Sequence, residues 1–328
     1  MKKTKNSSPN ILITSVSAKV SLVKAFKKAL KQEGTEGKVI GVDIDKYSPA
    51  FCFCDDCAVC PKLTSDDYLR FVIKLCKDNK IGLIIPTRDD DVVFFSNHIK
   101  DFIESGVIPT VPSYKTAKIC SDKFLFFEFL SKNNIPTIKS WKDINEEITY
   151  PCVIKDRVGA GARNFHIAND LEELRKKIKL VEKPIIQELV IGTEYTIDYF
   201  ADFNGNPVSV VPRIRLKVEN GESKVGITKN DEEIIKLSKE LGRKIGLVGH
   251  NIIQCFKLKN GSIEFIEINP RFGGGSNLCF AAGAETPKYL LQLLNNKKID
   301  FRGFKEDLLM MRYSKDCFIE ENEFNFKK

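Results

Sequence analysis

The sequence predicts an α/β domain followed by α+β domains, and three observations carry that prediction. Short apolar runs alternate with helix-spaced apolar residues over the first 110 or so positions. A glycine-bearing turn, residues 157–163, directly follows an apolar strand in the middle of the chain. Beyond position 184 strands dominate, joined by turns with the Asn-Gly signature of hairpins.

In order, residues 11–13 form a short apolar strand and residues 20–30 carry apolar side chains at helical spacing. Residues 38–42 are again strand-like and end at Asp43 and Asp45. Residues 68–76 read as a helix, 81–85 as a wholly apolar strand closed by Pro86-Thr87-Arg88-Asp89, and 92–103 as a helix before a short strand at 107–108. This rhythm predicts a mostly parallel sheet, with ligands beyond its carboxyl ends, where Asp43, Asp45, Thr87, Asp89 and Asp90 fall. Ser121-Asp122-Lys123 opens an aromatic-rich helix, and residues 150–155 form a strand before the glycine turn. A short strand at 164–167 and a helix at 171–178, with Asn169 and Asp170 as plausible caps, complete the middle unit. Residues 185–190, 194–203 and 207–215 read as an antiparallel set, 232–245 as a helix, and 249–258 with 262–269 as a second hairpin. A glycine-rich loop at 271–276 and a core helix at 286–294 follow, then a charged, peripheral tail after Met311.

Composition narrows the function. The chain has 328 residues, 42% of them hydrophobic, enough for two or three cores. Its net charge of +8 comes from 52 Lys and Arg against 44 Asp and Glu, scattered without the stripe that nucleic-acid binding needs. That balance suits solvated surface or an anionic small substrate. No apolar run reaches the roughly 18 residues of a membrane span, and the N-terminus lacks a signal-peptide core, so the expected location is the cytoplasm, with neither membrane nor nucleic acid as partner.

Five features carry the chemistry. Glu267 and Asn269 are two apart on a strand and share a face, so their oxygens can ligate Mg²⁺; Arg271 beyond them can fork onto phosphate. The plain alternative is a strand end turned to water. Lys155 ends an apolar strand before Gly159 and Gly161, which let backbone N–H groups converge on phosphate oxygens, though an ordinary hairpin reads equally well. Glu188-Leu189-Val190 offers an apolar hinge for an adenine ring and Glu194 an acceptor for ribose hydroxyls, or these are surface glutamates. Lys123 sits in the first turn of a helix, where the dipole disfavours cations unless an anion is near. Arg213 and Arg215, two apart on one strand, can hold a carboxylate or phosphate, or pair within the sheet.

Other features are weaker. His250 reads as a phosphate contact or a structural residue. The run Cys52, Cys54, Cys57, Cys60 reads as free thiols, with a zinc or iron–sulfur site as the alternative. The loop after the first strand lacks the glycines of a dinucleotide fingerprint.

The order of these signals resembles the ATP-grasp superfamily, and within it the single-module proteins related to the large subunit of carbamoyl-phosphate synthase. Lys123, Lys155, the glycine turn, Glu188 to Val190, Glu194, Gln254 and the run from Glu267 to Arg271 carry the likeness, together with Pro86-Thr87-Arg88-Asp89-Asp90. The resemblance implies an ATP-grasp fold behind an N-terminal Rossmann-like preATP-grasp domain, at 1–112, with a small lid subdomain at 113–184 and a large antiparallel subdomain with the tail at 185–328. It implies ATP and Mg²⁺ (Mn²⁺ as a substitute) as cofactors. Lys123 and Lys155 would bind phosphates, Gly159 and Gly161 would close over them, Glu188 to Val190 would hold adenine and Glu194 ribose. Glu267 and Asn269, with Gln254 close by, would coordinate metal, and Arg271 would steady the transferred phosphoryl group. His250 joins the nucleotide contacts. Arg213 or Arg215 would fix a carboxylate, and Asp89 and Asp90 would help close the substrate pocket. The implied activity is a carboxylate–amine ligase working through an acyl phosphate on small carboxylate and amine substrates, with a homodimer compatible. The alternatives are a bicarbonate-dependent or carbamoyl-phosphate-type enzyme and a non-catalytic nucleotide-binding module.

Overall fold

The computed structural model describes residues 9–159, 164–219 and 221–320. Its first sheet is parallel, ordered β3-β2-β1-β4-β5: β1 (Asn10–Thr14), β2 (Val39–Asp43), β3 (Asp56–Val59), β4 (Ile81–Ile85) and β5 (Ile108–Pro109). The helices α1 (Val20–Gln32), α2 (Asp67–Asp78), α3 (Asp89–Asn97) and α4 (Ile99–Glu104) cover it. Strands β1 and β4 are buried on both faces, as expected for apolar runs between helices. The strand order reverses at β1 and β4, so the crevice between the loops after these two strands is where a ligand belongs.

The helices α5 (Tyr114–Ser121) and α6 (Lys123–Lys132) lead to a second sheet, ordered β6-β9-β7-β8. It consists of β6 (Ser140–Trp141), β7 (Cys152–Asp156), β8 (His166–Ala168) and, after α7 (Leu171–Lys177), β9 (Pro184–Glu188). The sequence groups residues 185–190 with the later antiparallel set, but β9 pairs with β7 and β6 instead. Helix α6, grouped with the lid by sequence, buries Phe126 and Leu130 in the core of the third sheet. The apolar content of both segments is satisfied by either partner, so composition alone does not choose between them.

The third sheet is antiparallel, ordered β14-β13-β10-β11-β12-β15. Strands β10 (Gly192–Ala201), β11 (Pro207–Glu219) and β12 (Glu222–Thr228) precede α8 (Glu232–Ile245). Strands β13 (Gly249–Leu258) and β14 (Ile263–Asn269) follow it, then α9 (Asn277–Ala281), α10 (Thr286–Leu294) and β15 (Leu309–Met311). One face is apolar: Ile197, Tyr199, Ile253, Cys255 and Ile268 pack with α6 and α8. The alternate residues, Glu194, Thr196, Asp198, Arg213, Arg215, Gln254, Glu267 and Asn269, make the other face polar, because successive side chains point to opposite sides. Helix α10 packs on α1, joining the end of the chain to the first domain through Tyr289, Leu290 and Leu291.

Candidate active site

The polar face of the third sheet has an open half and a covered half. In the open half Glu267 lies opposite Gln254 in the β13–β14 ladder. Its Oε1 accepts from Asn269 Nδ2 at 3.1 Å, and Asn269 Oδ1 accepts from Arg271 Nη2 at 3.2 Å. Lys123 Nζ is 3.8 Å from Glu267 Oε2 and donates to the Gly159 carbonyl at 2.8 Å. That answers why a lysine persists in the first turn of α6: a carboxylate faces it, and Asp122 caps the helix by accepting from the Phe124 and Leu125 amides. Burial pushes the Glu267 carboxyl up, but Lys123, Lys155, Asn269 and Arg271 outweigh it and hold the group below its usual range. Lys155, near the end of β7, is pushed down to about 8 by burial and by Lys123, against the pull of Glu267 and Glu194.

Two ties set the walls. Asp122 receives Arg157 Nε at 2.8 and 2.9 Å on its two oxygens, which fixes the start of the glycine turn to the cap of α6. Gly159 has φ +99°, a conformation that favours glycine, and among the described residues no atom lies within 4 Å of where a Cβ would stand. Gly161 lies outside the described residues. Arg271 reaches the first domain: its Nε and Nη2 bond the two oxygens of Asp89 at 2.8 and 2.9 Å, a bidentate fork. Asp89 opens α3, at the crevice between β1 and β4.

The residues that the sequence resemblance assigns to a nucleotide are spread along the junction between the second and third sheets. Glu188 is exposed at the end of β9, with its amide bonded to the Lys139 carbonyl, while Leu189 and Val190 are half-buried. Glu194 is engaged by Arg215 and by Gln254 Nε2, the latter at 3.2 Å. Thr196 Oγ1 and Arg215 Nε, on the same face, are buried without a hydrogen-bond partner among the described residues.

Three sequence expectations are corrected. Arg213 does not present its guanidinium to a substrate: it is buried, with Nε 2.8 Å from Asp198 Oδ2 and its terminal nitrogens beneath Gly275. His250 has both ring nitrogens engaged within the protein. It is buried, bonded to Asp198, Ser276 and Thr286 at 3.1, 3.0 and 3.0 Å, and stacked on Phe272 with ring centroids 4.2 Å apart. These residues form the covered half, closed over by the loop that carries Arg271. Asp90 turns to the surface, where it pairs with Arg88.

Sequence reasoning missed Lys19. It sits in the loop after β1, with Arg271, Asp91, Asp43 and Glu222 all near enough to act on its charge; burial and Arg271 lower its pKa against those carboxylates. Its position past a strand end was the available signal. The same loop lacks glycine, yet Ser15 and Ser17 have φ of 48° and 40°. Ser15 Oγ and Thr14 Oγ1 bond Asp91, the Ser17 amide bonds Asp43, and Thr87 Oγ1 bonds the carbonyls of residues 14 and 15. These bonds offset strain of roughly 1–3 kcal/mol at each serine. Arg312, bonded to Glu222 and the Gly274 carbonyl, was also missed, and nothing in the sequence marked it.

Glu267 and Asn269 supply the hard oxygen donors that a divalent cation takes. Among the described residues no group of three or more His, Cys, Asp or Glu is arranged for a metal. A cation here would therefore share its shell with phosphate oxygens, the usual arrangement for Mg²⁺ at a nucleotide. The two lysines opposite would meet the phosphates, and the orphaned Thr196 and Arg215 atoms are polar groups ready for a ligand.

This is an ATP-grasp architecture, a cleft between a small sheet and a large antiparallel one behind a parallel-sheet domain. Residues 120–275 match the model of the ATP-grasp domain, and residues 11–110 match that of the PylC-like N-terminal domain. The chain belongs to the ATP-grasp superfamily and carries an N-terminal preATP-grasp domain. It is 24% identical over 306 residues to the carbamoyl phosphate synthase large chain of Thermoanaerobacter sp. (strain X514), an alignment covering 85% of this chain and 28% of that one. The chain thus spans about a quarter of that relative. Among solved structures it is similar to the biotin carboxylase domain of 2-oxoglutarate carboxylase from Hydrogenobacter thermophilus, with TM-score 0.74, 16% identity, and coverage of 93% of this chain and 74% of that one. It is also similar to the L-amino acid ligase of Bacillus licheniformis, with TM-score 0.68, 18% identity, and coverage of 89% and 75%. At such identities these structures establish the fold alone. No helix among the described residues is long and apolar enough to cross a membrane.

Proposed function

We propose that the chain uses MgATP to activate a carboxyl group and passes that group to an amine nitrogen. The observation that carries this reading is the convergence of Glu267, Asn269 and Arg271 from one strand end with Lys123 and Lys155, while Asp89 fixes Arg271 to the first domain. Bound MgATP supplies the electrophilic γ-phosphoryl group. Lys123 and Lys155 would neutralise phosphate charge, Glu267 and Asn269 would hold the metal, Leu189 and Val190 would face adenine, and Glu194 the ribose. A carboxylate oxygen attacks phosphorus and ADP leaves; the nitrogen then attacks the carbonyl carbon, and phosphate leaves as the nitrogen loses a proton. Such chemistry needs positioning and charge neutralisation rather than a protein nucleophile.

Bicarbonate is the better-supported carboxyl donor. The alternative raised from the sequence thus moves ahead of the amide-forming ligase, since carbamoyl phosphate synthase and a biotin carboxylase solved with MgADP and bicarbonate are among the similar proteins. An organic carboxylate is the second reading, favoured by the L-amino acid ligase likeness. ADP release is the test, measured in carbon-dioxide-free buffer with and without bicarbonate, over a panel of amines and carboxylates. Bicarbonate-dependent turnover supports the first reading, and turnover requiring an organic carboxylate supports the second. ATP binding without ADP release on the whole panel refutes both and leaves the non-catalytic module.

A further inference from the structure

The cysteine run that the site does not use meets the far end of the chain. Cys317 Sγ lies 3.3 Å from Cys52 Sγ, across a sequence separation of 265 residues. Cys52 is half-buried in the short 3₁₀ turn Pro49–Phe53 after β2, and Cys317 is exposed in the segment after β15. Arg312 holds the start of that segment: its amide donates to the Lys224 carbonyl at 2.8 Å, and its guanidinium bonds Glu222 and the Gly274 carbonyl. From Arg312 to Cys317 the chain can extend about 18 Å, at roughly 3.5 Å per residue. The segment is therefore a strap from the edge of the large sheet, past the loop that carries Arg271, to the first domain.

We propose that Cys52 and Cys317 are a redox-modification site, closing to a disulfide with a hydroperoxide as oxidant and fastening this strap across the Gly273–Gly275 loop. The exposed Cys317 sulfur attacks a peroxide oxygen; an S–O bond forms, the O–O bond breaks, and an alcohol (water, for hydrogen peroxide) leaves. The Cys52 sulfur then attacks the sulfenic sulfur; the S–S bond forms, the S–O bond breaks, and water leaves with the remaining thiol proton. Two thiols lose two electrons and two protons, and the peroxide takes up both. The sulfurs must close from contact to a bond of about 2.05 Å, and the strap, having no regular structure after β15, can supply that movement. A thiol reductant reverses the step. Cys57 lies near enough to act on the charge of Cys52, and Cys52 on that of Cys54, so these two are the competing partners.

The full chain is reduced, freed of reductant, treated with hydrogen peroxide, and alkylated in acid. Peptide mapping without reduction is expected to show a residue 52–317 cross-linked pair that Cys52→Ser and Cys317→Ser both abolish. Trypsin cleavage after Lys315 is expected to free the tail of the reduced protein but leave it attached in the oxidised one. Amide exchange at residues 273–276 is expected to slow by at least about tenfold on oxidation of the wild type and not of Cys317→Ser, as fastening suppresses local opening. A Cys52–Cys57 or Cys54–Cys57 cross-link with Cys317 still alkylated overturns the pairing. Over-oxidation of Cys317 without a cross-link does the same. A cross-link that leaves exchange at 273–276 unchanged overturns the fastening. None of these readouts depends on turnover.

Discussion

Lys155 gives a sharp prediction because burial and Lys123 leave its charge marginal. Its pKa is about 8, against an unperturbed ~10.4. A bound triphosphate places anionic oxygens beside the ammonium and restores its affinity for the proton. Nucleotide binding should therefore take up the fraction of a proton that free Lys155 lacks: about 0.1 at pH 7, 0.5 at pH 8 and 0.8 at pH 8.5. The sign follows directly. Below the free pKa the lysine is already charged and affinity is flat; above it, each rise in pH adds the cost of protonation. Between pH 7 and 9 the affinity for MgATP should fall about tenfold, or ~1.4 kcal/mol. The nucleotide itself does not confuse the measurement, since a phosphate monoester loses its last proton near pH ~6. Titration calorimetry in two buffers of different ionisation enthalpy reads the uptake. Lys155→Arg keeps its charge throughout, so both the uptake and the slope should vanish. Uptake that is equal at pH 7 and 8.5, or that survives in Lys155→Arg, would refute the placement of this ammonium against the phosphates.

Three further outcomes test the site. Glu267→Gln keeps an oxygen for Asn269 but removes the carboxylate, so ADP formation should fall by about 10²-fold or more, and the Lys155 midpoint should drop below its present value because Glu267 holds it up. Asp89→Asn loosens the fork on Arg271; kcat/KM for the carboxyl substrate should fall about tenfold while MgATP affinity, read separately by calorimetry, stays unchanged. Asp198→Asn strands the buried Arg213 without its counter-charge and should lower unfolding stability by about 3–5 kcal/mol in urea titration. In the wild type, burial raises the Asp198 carboxyl but Arg213 and His250 outweigh it. Its folded pKa therefore lies below the unfolded value of about 3.9, so this stabilisation is complete above that pH and is lost only as pH falls toward the folded pKa.

Much of the architecture was legible because periodicity reports burial. The apolar runs of β1 and β4 and the alternation of β14 each have one physical solution in their place. Strand β3 was not legible: it lies within the cysteine run, and a four-residue strand beside β2 leaves little pattern. Strand β12 was missed for a related reason, since ESKVGIT is polar enough to read as loop and becomes a strand by pairing with β11 and β15. At the site, Glu267, Asn269 and Arg271 were legible because three groups two residues apart share a direction. Lys123 was legible as an unfavourable charge that needed an anion. Arg312 was illegible because its role comes from a contact with Gly274, 38 residues away in sequence.

Arg213 and Arg215 show why the boundary of the site could not be read. Both lie on one face of β11, two residues apart, and the sequence offers them as equals. The sheet makes them different through what lies above each. Over Arg215 the face is open enough for Glu194 and Gln254 to remain half-exposed. Over Arg213 comes the loop after Arg271: a Cβ on Gly275 would stand 2.9 Å from its Nη1, so that loop can approach only as glycine. Beneath it, Ser276 Oγ accepts from the Gly273 amide at 3.0 Å and meets His250 Nε2 at 3.0 Å. Phe272, next to Arg271, stacks on the His250 ring. The buried Asp198, Arg213 and His250 therefore act on the proposed reaction at one remove, by setting the height and direction of the backbone that carries Arg271 toward Asp89. A polar residue on this face is a ligand contact or a positioning residue according to whether the Gly273–Ser276 loop covers it, and that depends on a crossing of chains that spacing along a single strand does not encode.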